Sequence, residues 1–238
     1  QPARLVQHQN VLVLEQDVQL HGDGIVVMRW RCRNLADFDD VIRRNPGNWH
    51  AYNERGRVHQ RRGPASFDAA LNDYAQAASS AGHDYVPHLN KARIHFDRKQ
   101  FGQAIADLDQ AIEQHKTTDL NVFLLRGRAR LGTREYDLAV ADFSRMIQLK
   151  GEDPWGYYWR GYARLEDAKA TKAYCDAERQ RAVQRSTSDI HGGAGGLRCS
   201  IPVSFSLALD DLNAAITRNG KLAGPHYQVG RLLREVGQ

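Results

Sequence analysis

The chain has 238 residues, 42% of them hydrophobic, and a formal net charge of +5 at pH 7 with its ten histidines counted neutral. No run approaches the roughly 18 consecutive apolar residues of a membrane-spanning helix, so none lies within this sequence. The charge excess is small and its arginines are spread along the chain, which argues against a continuous phosphate-binding stripe.

In chain order, the first 45 residues keep a repeat register through Gly22, Phe38 and Val41, with Pro46 at the next joint. They read as an N-terminal segment with a degenerate repeat. Val11, Val13, Val18, Leu20, Ile25 and Val27, arranged around His21-Gly22-Asp23-Gly24, leave a hairpin open as the alternative. Asp37, Asp73, Asp107, Asp142, Asp176 and Asp211 follow one another at intervals of 36, 34, 35, 34 and 35 residues. Small residues keep the same interval at Gly22, Gly56, Ala92, Gly127, Gly161, Gly196 and Gly230. A period of this length is that of a helix-turn-helix unit in a stacked array. About twelve residues after the small marker comes Ala70, Ala104, Ala139 or Ala208; Tyr74, Leu108, Phe143 or Leu212 stands four further on. Ala77, Ala111, Met146 and Ala215 follow three later. Steps of four and three place these side chains on one face of a second helix, where small residues admit a close partner.

On these residues the chain resembles the tetratricopeptide-repeat family, with its Gly-x-x-aromatic and Ala-x-x-x-Phe marks, most strongly over residues 45–165. The resemblance implies an all-α fold, a right-handed superhelical solenoid of antiparallel helix pairs, with five to six repeats and a terminal helix. Regular repeats are expected over residues 46–185, with a helix near 168–184. An irregular, Gly-rich loop is expected over 186–203, because Gly192, Gly193, Gly195 and Gly196 oppose a helix at about 1 kcal/mol each. Residues 204–238 are expected to form C-terminal helices, one over 204–218 and a cap from Pro225 to Val236. A second reading makes residues 167–202 one long insertion.

One residue before the small markers stand His21, Arg55, Lys91, Arg126 and Arg160. Each is expected to join the two helices of its repeat by an ion pair to the recurring aspartate: Arg55 to Asp73, Lys91 to Asp107, Arg126 to Asp142 and Arg160 to Asp176. The role is structural. Such a pair, shielded from water, costs about 3–5 kcal/mol when one member is deleted.

One residue after the markers come Arg57, Arg93, Arg128 and Arg231, with Tyr162 in the fifth unit. One turn earlier lie Asn53, Leu89, Leu124, Tyr158 and Tyr227. The resemblance implies that these positions, with Asn90, line a concave groove that carries an arginine ladder and aromatic patches. Guanidinium groups take carboxylates in a bidentate fork, and aromatic rings give contact area at low entropic cost. The expected partner is therefore a protein or peptide, acidic or carboxylate-bearing, held by a non-enzymatic scaffold. A small acidic ligand or a nucleic acid in the same basic groove is the alternative. Relatives that grip a chain-terminal carboxylate use Lys, Asn and Arg at fixed inward sites; here those sites hold Asn53, Arg57, Asn90, Asn121 and Leu125, and only Asn90 keeps the type. Trp155 and Trp159, beside Tyr158 and Tyr162, form either core or an aromatic shelf for a ligand.

No catalytic motif accompanies the repeats: there is no Gly-x-Ser-x-Gly elbow, Walker loop, His-Glu-x-x-His or Cys-x-x-Cys. No cofactor, metal or catalytic residue is expected, and His59 and His95, which share one repeat position, read as packing or solvent-edge residues. Three cysteines leave an odd count; a Cys175–Cys199 bond would staple a loop of about 25 residues and leave Cys32 free. That staple, with a chain beginning at Gln1, leans towards an exported protein in a bacterial periplasm or secreted.

Overall fold

A computed structural model of the chain describes residues 35–82, 84–188 and 201–235. Ten α-helices and no strand occur among the described residues: α1 (Leu35–Arg44), α2 (Trp49–Arg61), α3 (Phe67–Ser80), α4 (Val86–Asp97), α5 (Phe101–His115), α6 (Leu120–Gly132), α7 (Tyr136–Leu149), α8 (Pro154–Ser188), α9 (Ile201–Arg218) and α10 (Ala223–Glu235). The choice between a helix pair and a hairpin over residues 1–30 lies outside the described residues.

Local chemistry sets the helix ends. The Asn48 side chain accepts from the Ala51 amide at 3.2 Å at the start of α2, and Asp84 accepts from Val86 at 2.8 Å before α4. Asp119 accepts from Asn121 at 2.9 Å before α6. Each satisfies an amide that the first turn leaves without a helical partner. Pro154 opens α8 where its missing N–H costs nothing.

The helices fall into two compact units, Gln1–Arg98 with Asp109–Thr117, and Lys99–Leu108 with Thr118–Gln238. In the first, α2 and α3 pack as a pair around Phe67, Ala70 and Tyr74, and Ile94 of α4 joins this core. A Cβ on Gly56 would lie 2.7 Å from the Tyr74 ring, so α2 can approach the ring only with glycine there. Tyr74 is fully buried, donates its hydroxyl to Gln60 at 2.8 Å, and is pushed above the usual phenol range by that burial.

In the second unit, α6 and α7 repeat the arrangement, with Gly127 facing Phe143 at 2.6 Å from a would-be Cβ. The next pair departs from the expected boundaries. Residues 168–184 are not a separate helix: α8 continues unbroken for 35 residues from Pro154 to Ser188. The second helix packed against its first half is α9. Gly161 meets Leu212, Ala208 and Asp211, the α9 counterparts of the α7 face. Leu165, Ala168, Phe205, Ala208, Leu212 and Leu232 close the core, which draws α10 onto the same pair. Where a loop is expected over 186–203, α8 runs to Ser188 and α9 starts at Ile201, while residues 189–200 lie outside the described residues.

Candidate functional site

Four of the recurring aspartates, Asp73, Asp107, Asp142 and Asp211, are buried. Asp73 on α3 is 2% exposed and takes Arg55 of α2 through Nε at 3.0 Å and Nη2 at 2.6 Å. Asp142 on α7 takes Arg126 at 2.6 Å and a second arginine, Arg130, at 2.8 Å. Burial pushes the Asp142 carboxyl above its usual value against the pull of these two guanidiniums. Removing either would leave a buried carboxylate undercompensated. Asp107 is buried like the others, on α5.

Arg160 does not meet Asp176. It forks onto Asp211 of α9 at 2.6 and 2.9 Å, and Arg164 completes the clamp at 2.7 Å. The reason is the unbroken α8: sixteen residues of helix set Asp176 about 24 Å along the same rod from Arg160. Asp176 pairs instead with Arg179, three residues on, at the surface. A second clamp residue stands one turn after the first, beyond the single cation per aspartate that the repeat spacing predicts. Arg55/His59, Arg126/Arg130 and Arg160/Arg164 share that spacing, and His59 stands 3.9 Å from Asp73.

Facing away from these clamps, the first helices carry the expected ligand positions. In the first unit a hydrogen-bonded string crosses from α2 to α4. Arg57 donates to Glu54 at 2.9 and 3.0 Å, and Asn53 donates to Glu54 at 3.2 Å. Asn90 then donates to Asn53 at 2.9 Å, and Arg93 to Asn90 at 3.2 Å. Asn53 and Asn90 are buried while Arg57 and Arg93 are exposed, so the exposed guanidiniums rest on buried amides. Glu54 is a member that sequence spacing did not single out. Leu89, placed on the same face by its spacing, is core at 4% exposure.

In the second unit α6, α8 and α10 bring the other positions together. Leu124 is half-buried on α6, and one turn later the Arg128 guanidinium lies 5.1 Å from the centroid of the Trp159 ring. Trp155, Tyr158, Trp159 and Tyr162 form a ladder along α8, with successive centroids 5.7, 5.1 and 5.9 Å apart. Arg231 of α10 lies over Tyr227 at 5.9 Å, donates to the Gln228 side-chain oxygen at 3.1 Å, and approaches Glu166 at 3.5 Å. Burial, then the Glu166 carboxylate, pushes the Tyr162 hydroxyl up against the pull of Arg231.

No protein-family model matches the chain. Over 98 residues it is 31% identical to the mouse peptidyl-prolyl cis-trans isomerase FKBP4, covering 41% of this chain and 19% of that protein. Over 119 residues it is 24% identical to the Hsp70-Hsp90 organising protein of Plasmodium falciparum, covering 48% and 21%. The chain thus spans about a fifth of the length of the curated relatives it matches. Among solved structures it is similar to MamA from Desulfovibrio magneticus RS-1, with a TM-score of 0.58 and 14% identity over 79% of this chain and 85% of that one. It is also similar to YrrB, described as a TPR protein with an unusual peptide-binding site, with a TM-score of 0.51 and 14% identity over 83% and 100%. The chain has the tetratricopeptide-repeat fold.

Among the described residues no group of three or more His, Cys, Asp or Glu side chains is arranged to hold a metal. No described helix is long and apolar enough to cross a membrane. Cys175 is buried and disulfide-bonded, while Cys32 and Cys199 lie outside the described residues.

Proposed function

We propose that the chain is a non-enzymatic interaction scaffold that holds an acidic, carboxylate-bearing peptide or protein segment on the face of its first helices. The observation that carries this reading is the placement of arginines. Those one residue before the small markers are consumed by buried aspartates, whereas Arg57 and Arg93, one residue after, stand exposed on a bed of buried asparagines. The Arg57–Glu54 pair is a surface pair, 52% and 43% exposed, worth at most about 1 kcal/mol, so a ligand carboxylate can replace Glu54 at little cost. Arg128 and Arg231 lie over aromatic rings in the second unit, which suits a ligand with both charge and apolar area.

A chaperone-tail partner is not favoured, although one relative is named as an Hsp70-Hsp90 organiser. Of the carboxylate-gripping positions only Asn90 keeps the expected type, and its amide is engaged with Asn53.

Fluorescence anisotropy of a labelled deca-glutamate peptide tests the reading. The wild-type chain should bind it, deca-lysine should not bind, and Arg57→Ala/Arg93→Ala/Arg128→Ala should weaken binding at least tenfold. Equal binding by both proteins would remove the face from the account. A binder of nucleic acid would instead prefer a decauridylate, with affinity falling steeply as salt rises.

A further inference from the structure

The aromatic ladder of α8 exceeds what packing requires. Trp155, Tyr158, Trp159 and Tyr162 meet at interplanar angles of 80°, 65° and 87°, so each ring turns an edge to its neighbour's face. That is the favoured geometry of aromatic pairs, and it holds the ladder rigid. Phe143 backs Trp159 at 6.1 Å, and Tyr158 rests against α10 at Gly224, where a Cβ would come 3.2 Å from the ring. A supported ladder of this kind still leaves Trp155 44% and Tyr227 62% exposed, two of the five large hydrophobic side chains exposed among the described residues.

The charges around the rings select the ligand. Arg128 over Trp159 and Arg231 over Tyr227 already place cations on ring faces, so a methylated lysine or another quaternary ammonium is repelled. Glu166, 3.5 Å from Arg231, interrupts the positive field that a continuous phosphate backbone would need. Spaced carboxylates with compact apolar groups between them suit both features. Proline supplies such groups on a backbone already extended, with three residues per turn and about 3.1 Å of rise per residue, and exposed aromatic rings are the usual platform for it.

Resting on the acidic-peptide reading above, we infer that the Trp155–Tyr162 ladder with Tyr227 is a docking site for an acidic segment whose carboxylates alternate with prolines. The proline rings lie on the exposed faces of Trp155 and Tyr227 while the carboxylates reach Arg128 and Arg231.

Labelled dodecapeptides of alternating Glu-Pro, Glu-Ser and Lys-Pro, with a decauridylate as the nucleic-acid probe, test this by anisotropy. The wild-type chain should bind Glu-Pro at least fivefold more tightly than Glu-Ser, and Lys-Pro not at all. Trp155→Ala and Tyr227→Ala should each abolish that preference, with Glu-Pro binding weakened at least fivefold. Tyr174→Ala, which removes an equally exposed tyrosine of α8 outside the ladder, should change nothing, and circular dichroism melts report whether each variant is folded. Equal affinity for Glu-Pro and Glu-Ser in the wild type overturns the proline assignment and leaves the acidic-peptide reading standing. Failure of both acidic peptides to bind overturns both. Tighter binding of the decauridylate overturns the proposal in favour of a nucleic acid.

Discussion

Replacing Asp211 by alanine separates the α8–α9 pairing from the repeat register written in the sequence. Asp211 is 4% exposed and receives three short bonds from Arg160 and Arg164, whose side chains are 20% and 25% exposed. Deleting one member of a buried pair costs about 3–5 kcal/mol, and the partial solvation of the two arginines brings the expectation to about 2–3 kcal/mol. For a chain of this size that corresponds to a fall in melting temperature of roughly 5–10 °C. Asp176→Ala removes only an exposed pair with Arg179, 70% and 48% exposed, and should cost no more than about 0.5 kcal/mol. Urea unfolding of Arg160→Ala, Asp211→Ala and the double variant should give a coupling above about 1 kcal/mol. The cycle of Arg160 with Asp176 should be additive. Coupling between Arg160 and Asp176, or a loss at Asp176 as large as at Asp211, would refute the pairing.

Three further outcomes follow from the packing. Gly127→Ala drives a methyl to 2.6 Å from the Phe143 ring and should destabilise by about 1–3 kcal/mol, whereas Gly230→Ala meets nothing within 4 Å and should stabilise by up to about 1 kcal/mol, both read by urea unfolding. Arg130→Ala, leaving Asp142 with Arg126 alone, should cost about 1–3 kcal/mol, and Arg130→Lys should recover part of that loss in the same assay. Thiol titration of denatured, unreduced chain should find one free thiol, while three would contradict the bonding of Cys175.

Much of the packing was legible because repetition turns spacing into geometry. The 18 residues from Arg55 to Asp73 and the 16 from Arg126 to Asp142 span one helix hairpin, and the small residues at Gly56 and Gly127 face the aromatic groups at Tyr74 and Phe143. The misplaced partner at Asp176 has the same physical origin. Arg160 and Asp211 stand 51 residues apart against 16 for Arg126 and Asp142, a difference of 35, which is one repeat length. One repeat length more between the two partners keeps the periodic count while changing the partner. The continuity of α8 carried no contrary signal, since no proline falls between Pro154 and Pro202. The second clamp residue is legible as Arg126/Arg130 and Arg160/Arg164 at a spacing of four, although the first unit carries His59 rather than an arginine at that position. Side-chain bonds such as Asn90 to Asn53, 37 residues apart, link different repeats, and no within-repeat pattern announces them.

Hydrogen exchange with and without saturating Glu-Pro dodecapeptide addresses the ligand face most directly. Protection should rise on α2 or α4 in the first unit and on α6, the first four turns of α8 and α10 in the second, and should leave α3, α7 and α9 unchanged. Protection confined to α3, α7 or α9 would place the ligand on the opposite helices and contradict the account.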